Sequence, residues 1–397
     1  MTPMIISGKP QLNRKMNRSL ILDRVRIDRR ISRARLATST NLRPPTITTI
    51  VRDLLEEGLL IETGIGATNS GRAPRMLELR CDRPIAMGFE ITHTSVYGGL
   101  CDLKGQLHAS LTRPLRPTSP EATLDVLTDM AQSMFAEVNK ANGHTPITWS
   151  SLSGAGIGLP GMIDSRTKTV VWSHPLLWRD VALGELCQQR WGIETDILND
   201  SAAGCLSAHY FGEEPVENMI YIVLRFADAM NRVVGIGTSL IIHGEPYHGE
   251  FGSAGEVTEP IAHPLTDALA DTGRPYPDTT AFTKGLLSGH PSAVEAMDRV
   301  GNEIASFVVQ AINLLEPGRV IIESDVPELG RELQVRLDRI CGKRELHDKT
   351  EIVLANVGEF GGVTGAVVPT LKRMFTPPRV RSSQGRSNGG VSDDRVR

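Results

Sequence analysis

An amide and a carboxylate stand side by side in Leu198-Asn199-Asp200-Ser201-Ala202-Ala203-Gly204, after an apolar strand and before a run of small residues. Such a pair can hold two neighbouring hydroxyls, and Asp200 is placed to take a proton from one of them. The same residues also suit the start of a helix, whose free N–H groups either side chain can cap. In Gly158-Leu159-Pro160-Gly161-Met162-Ile163-Asp164, a tight turn follows the strand Gly154 to Leu159. Ligands favour that edge of an α/β sheet, although the same turn also serves plain chain reversal. Gly235-Ile236-Gly237-Thr238-Ser239 is a glycine-rich strand entry that permits either a bulge or the approach of backbone N–H groups to a phosphate. Gly249 to Glu256 then brings in a carboxylate with little bulk around it, which suits a polyol.

These candidates need strands to carry them. Strands are expected at 85–91, 96–102, 154–159, 194–198, 219–224, 233–242, 319–323 and 351–355, with helices at 119–140, near 181–191, at 291–315 and at 362–375. The pattern starts twice, each time with a hairpin, so two similar α/β lobes with a cleft between them are predicted. The segment 377–397 is polar, rich in Gly, Ser and Arg, and without apolar periodicity, so disorder is expected there.

The chain of 397 residues is too long for one ordinary core. Its charge is uneven. Residues 1–83 carry sixteen Lys+Arg against eight Asp+Glu, a net of +8, which leaves −11 for the rest. Nucleic acid should therefore meet only the N-terminal part. Cys81, Cys101, Cys187, Cys205 and Cys341 lie far apart with no CxxC pair, so a disulfide framework is not indicated and a reducing cytoplasm fits. No apolar run approaches the roughly 20 residues of a membrane span.

The basic part reads as a winged helix-turn-helix. A first helix is expected over 17–29, a second over 33–39 capped by Ser32, and a turn at Asn41-Leu42. Pro44 and Pro45 open a third helix, with Ile47, Ile50, Val51, Leu54 and Leu55 on its buried face and Gly58 as its stop. Strands at 59–62 and 76–79 flank a glycine-rich tip, the wing. With the third helix in the major groove, the candidate DNA contacts are Ser32, Arg33, Arg35, Arg43, Thr46, Thr48 and Thr49, with Arg72 from the wing. A three-helix unit used for protein contacts is the plainer alternative; helix order, wing and charge together favour DNA.

The ordered set of a winged helix, GLPG, LND, GIG with IIHGEPYHG, GxxGE, NLLEPGRVII and GAVVP resembles the ROK family of sugar-responsive transcription regulators and sugar kinases over residues 17–375. The resemblance implies an actin-like, sugar-kinase-type fold with a sugar in the interlobe cleft. It makes Asn199, Asp200 and Glu256 the contacts to sugar hydroxyls and the loop of Gly158, Pro160 and Gly161 a cleft wall, and puts Asp200 at the position of the kinase base.

Departures from the family pattern bear on chemistry. The first phosphate loop of the kinases is Asp-x-Gly-x-Thr, but here Glu90-Ile91-Thr92-His93-Thr94 stands there. The second is lengthened by RFADAMNRVV after Leu224, and Ser239 replaces a usual glycine. Phosphoryl transfer depends on both loops, so no enzyme activity and no cofactor are expected. Glu256-Val257-Thr258-Glu259 lacks the histidine of the family's Glu-x-Gly-His, and no cysteine lies between Cys205 and Cys341, so zinc is not expected and Glu259 becomes the candidate sugar contact.

The expectation is thus an α/β protein: a winged helix-turn-helix over 14–82, a two-lobe effector domain over 84–376 (lobes 84–200 and 201–376), and a disordered tail. It would be a cytoplasmic repressor, partnered by an operator DNA and a sugar or sugar derivative, and working as a homodimer or dimer of dimers.

Overall fold

The computed structural model describes residues 10–65, 74–92, 94–115, 119–141, 146–212, 216–226, 234–250, 254–255, 276, 279–341, 349–355 and 358–376. The expected wing tip with Arg72, the carboxylates Glu256 and Glu259, and the tail 377–397 lie outside the described residues. The chain divides into two compact units, one comprising residues up to Leu79 together with Lys372 onward, the other Arg80–Leu371.

The smaller unit contains helices α1 (Pro10–Asp28), α2 (Arg33–Thr40) and α3 (Pro44–Glu56), and a sheet of β1 (Ile31–Ser32), β2 (Leu60–Ile65) and β3 (Arg75–Leu79) in the order β1-β3-β2. Ile21, Leu22 and Val25 of α1 pack with Leu36, Ile47, Ile50, Val51 and Leu54 as its buried core. Two expectations are corrected. Helix α1 begins at Pro10, seven residues earlier than predicted, because its polar first turns are held by charge: Arg14 lies 2.6 Å from Asp53, and Arg18 grips both carboxylate oxygens of Glu57. Leu55 is half-buried rather than core. The strand β1 is an addition, pairing Ile31 with Leu77 and so fastening the second helix to the wing. At the far end of the chain Phe375 lies under the Arg26 guanidinium, 5.6 Å from it.

The larger unit is built from two sheets of one topology. The first has β4 (Ala86–Ile91), β5 (Ser95–Cys101), β6 (Leu107–Pro114), β7 (Gly154–Leu159) and β11 (Thr195–Asn199) in the order β6-β5-β4-β7-β11. Between β7 and β11 a small sheet is inserted: β8 (Met162–Asp164), β9 (Thr169–Ser173) and β10 (Trp178–Val181). The second has β12 (Met219–Phe226), β13 (Val234–Ile242), β14 (Glu245–Pro246), β15 (Arg319–Ser324) and β16 (Glu351–Leu354) in the order β14-β13-β12-β15-β16. In both, three antiparallel strands are followed by two parallel ones. The expected repeat is therefore a repeat of topology.

Helices cover the outer faces and the middle. α4 (Pro120–Ala141) and α5 (Leu183–Trp191) share one core with the first sheet, while α7 (Thr279–Leu287), α8 (Pro291–Leu315) and α9 (Pro327–Cys341) share another with the second. A third cluster is formed by α6 (Asp200–Phe211) and α10 (Gly361–Phe375), through Ala203, Leu206, Ala366 and Val368, with Leu198 of the first sheet and Tyr221 of the second. The two helices cross where Gly365 faces Ala203, so closely that a Cβ on Gly365 would sit 1.7 Å from the Ala203 carbonyl oxygen. Among the described residues no helix is long and apolar enough to cross a membrane.

Candidate functional site

Strand β7 ends in the turn that carries Pro160 and Gly161. Gly161 adopts φ +133, and a Cβ there would lie 2.4 Å from the Trp172 carbonyl oxygen, so the turn demands glycine. Two side chains pin it: the Ser173 hydroxyl donates to the Pro160 carbonyl at 2.6 Å, and the Asn199 amide donates to the Gly161 carbonyl at 2.8 Å. Asn199 also caps α6, accepting from the Ser201 N–H at 2.8 Å and from its hydroxyl at 2.5 Å. Helix capping, one of the two readings its residue type allows, is therefore realised. Gly158 packs against Ala203, where a Cβ would be 3.1 Å from the alanine methyl.

Beside this turn opens a small cleft that is open to solvent. Its polar lining comes from Ser165, Asn199, Ser201, Thr238, Ser239, Tyr247 and His248, and its apolar lining includes Ile163 and Leu198. The Ser201 hydroxyl also lies 3.2 Å from the Thr238 carbonyl, and Thr238 donates to the Gly255 carbonyl, so first-sheet and second-sheet sides are stitched at the cleft floor. Burial lowers the pKa of His248 and favours its neutral form. Among the described residues no carboxylate, lysine or arginine lines the cleft. Such a surface offers hydroxyls, an amide and an aromatic face, the groups that bind a neutral polyol. Of the sequence candidates the cleft brings Asn199 to its wall and Gly161 next to it, but Asp200 does not line it.

Asp200 faces a second cluster. The Arg225 guanidinium lies 2.7 Å from Glu323 and 3.5 Å from Glu90, and the Tyr221 hydroxyl donates to Glu323. Burial raises the Asp200 pKa, with Arg225 opposing it. Burial also pushes the Glu90 carboxyl up to about 7, opposed by Arg225 and by the Gly362 N–H. The turn after Glu90 is closed on itself: the Thr92 hydroxyl accepts from the Ser95 N–H and donates to the Ser95 carbonyl, both at 3.0 Å. Among the described residues no group of three or more His, Cys, Asp or Glu side chains is arranged to hold a metal ion.

The smaller unit presents the outer face of α3. Arg43 at its N-cap and Thr48 and Thr49 are exposed, while Thr46 is half-buried. Thr48 and Thr49 donate to the Pro44 and Pro45 carbonyls, both at 3.0 Å, and keep their oxygens free to accept. Among the described residues Arg43 makes no ion pair. Ser32 caps α2 through the Arg35 N–H at 3.3 Å. Arg33 lies 2.7 Å and Arg75 2.6 Å from Glu62, whose pKa is lowered chiefly by the Arg75 bond and next by Arg33; Arg35 lies 3.8 Å from Asp28. Arg33 is thus a brace between α2 and the wing, whereas Arg43 is an available cation.

The model for "ROK family" matches residues 86–269. Across those residues the chain is similar to the ROK family. It is 28% identical over 94% of its length to a putative xylose repressor of Caldicellulosiruptor sp. strain Rt8B.4, covering 99% of that protein. It is 30% identical to the xylose repressor of Bacillus subtilis strain 168, over 62% of this chain and 60% of that one. A ROK-family transcriptional regulator described as a homologue of the E. coli MLC protein shares the fold, with a TM-score of 0.73 at 17% identity over 92% of this chain and 98% of that one. Both curated relatives are named as repressors rather than as enzymes.

Thr238 lies in the glycine-rich strand entry and Tyr247 and His248 in IIHGEPYHG, yet neither these nor Ser165 are marked by the sequence as ligand contacts. The turn His243-Gly244-Glu245 was the available signal, because a hairpin there folds the next residues back along β13, where the Tyr247 N–H donates to Leu240.

Proposed function

We propose that this chain is a DNA-binding transcription repressor whose operator affinity is set by a small neutral sugar bound in the cleft. The hydroxyl-lined cleft beside the Gly161 turn supports the effector half of this reading, and the basic winged helix-turn-helix supports the DNA half. The names of the relatives point to a pentose, D-xylose, as the first effector to try. The protein acts in the cytoplasm as a homodimer, because two third helices must reach successive major grooves about 34–36 Å apart. Sugar shifts the balance between two states by its difference in affinity for them, and operator affinity falls by the same factor. Arg43, Thr46, Thr48 and Thr49 meet DNA from α3 and Arg72 from the wing; Glu256 and Glu259 add to the sugar contacts. The chain does not phosphorylate sugar: both phosphate loops depart from the kinase pattern, and Asp200 is not among the described residues that line the cleft.

Thermal unfolding with D-xylose, D-glucose and N-acetylglucosamine tests the effector half, since a ligand of the native state must raise Tm. One sugar should raise Tm and weaken operator binding; no shift with any of them refutes sugar control. Arg43→Ala should weaken operator binding and reduce its salt slope by about one. Unchanged affinity and slope refute the placement of α3. An ATP phosphorylation assay on the same sugars should give no turnover.

A further inference from the structure

The cluster around Arg225 lies outside the ligand cleft and is not used by the function above. Its members come from both sheets: Glu90 from β4, Tyr221 and Arg225 from β12, Glu323 from β15, with Asp200 from the first turn of α6. Three carboxylates face one guanidinium. Burial works against the charge on Arg225, but Glu323, Asp200 and Glu90, in that order, hold it there. The packing leaves no room for anything else: a Cβ on Gly362 would sit 2.3 Å from the Glu90 carboxylate, and one on Gly204 2.9 Å from the Glu323 oxygen.

We propose that Arg225 is a built-in counter-ion that clasps the two sheets together. Glu323 shares the second sheet with Arg225 and would stay with it if the sheets parted, whereas Glu90 on the first sheet would lose its cation, and losing one partner of a buried pair costs far more than the pair itself contributes. Glu90 is 6% exposed, and its carboxyl, pushed up to about 7, lets a proton share the work of neutralising the cluster. Tyr97, whose pKa rises with burial and with the nearby Glu90 and Glu359, and Tyr221, raised by burial and by Glu323, are further titratable groups here among the described residues.

The test uses the full chain without DNA or sugar, so it stands or falls separately from the proposed function. Spin labels at Ser110→Cys after the first hairpin and Ser288→Cys after α7 report the distance between the two sheet layers. Arg225→Met should lower Tm by about 6–12 °C and broaden the distance distribution. Adding Glu90→Gln should recover at least half of both changes, because the two residues share one interaction. Arg225→Lys, which keeps the charge but loses the forked geometry, should show a smaller loss with the same recovery, and it serves if Arg225→Met does not fold. A Tm within about 1 °C of the parent for Arg225→Met overturns the clasp. So do strictly additive losses in the double variants, or an unchanged distance distribution alongside a lower Tm, which would make Arg225 a packing residue only.

Discussion

The cleft, as the outer end of this region, and the Arg225 cluster, as its inner end, are built from opposite materials. At the outer end Asn199, Ser201, Thr238, Ser239, Tyr247 and His248 present neutral polar groups around open space. At the inner end Arg225 is paired with Glu323 and Glu90 and feels the nearby Asp200. A neutral ligand can exchange water for hydroxyl contacts at the first without moving anything. At the second, any ligand would first have to break ion pairs in a medium of low dielectric. The open cleft thus offers polar groups to a ligand, whereas the Arg225 cluster is occupied with its own ion pairs.

The largest effect should come from the inner end. Arg225→Met removes the only cation facing three carboxylates among the described residues and should cost about 3–5 kcal/mol in urea unfolding; a loss below about 1 kcal/mol would erase the contrast. Next is pH. The Glu90 value of about 7 lies above its ordinary 4.5, so the stability it contributes is full below about 4.5 and lost as pH rises through 7. The protein should lose on the order of 2–3 kcal/mol between pH 5 and 8. Glu90→Gln should flatten that slope, and equal slopes would show that something else titrates. Asn199→Ala stands between the two ends, since it removes both a helix cap and the bond to Gly161. A loss of about 1–2 kcal/mol is expected, together with a weaker sugar response. Smallest in stability is Ser239→Ala at the outer end, which should stay within about 0.5 kcal/mol of the parent. Its sugar-induced rise in Tm should nonetheless shrink; an undiminished rise would move the ligand elsewhere.

Much of this molecule was legible in the chain. The strand Gly154–Leu159 and the helix Pro291–Leu315 fall where apolar runs and proline place them, and the double proline opens α3 as its fixed φ requires. Elements held by partners rather than by their own pattern were not legible. The first turns of α1 are polar and lean on Asp53 and Glu57 of α3, and β1 is two residues long and exists only because β3 pairs with it. The amphipathic spacing of Leu329, Leu333 and Leu337 did carry a readable signal for α9.

The site divides in the same way. Residue types and order alone determined that a glycine turn, an Asn-Asp pair and a basic winged head occur together, because turns, caps and net charge are local properties of sequence. Only the tertiary structure decided what each polar side chain does. It turned Asn199 to the Gly161 carbonyl, buried Asp200 within the field of Arg225, and brought Glu90 and Glu323 to one guanidinium across 233 positions of chain. Ion pairs and hydrogen bonds between distant segments depend on where two sheets bring their strand ends, and no spacing within one segment encodes that distance.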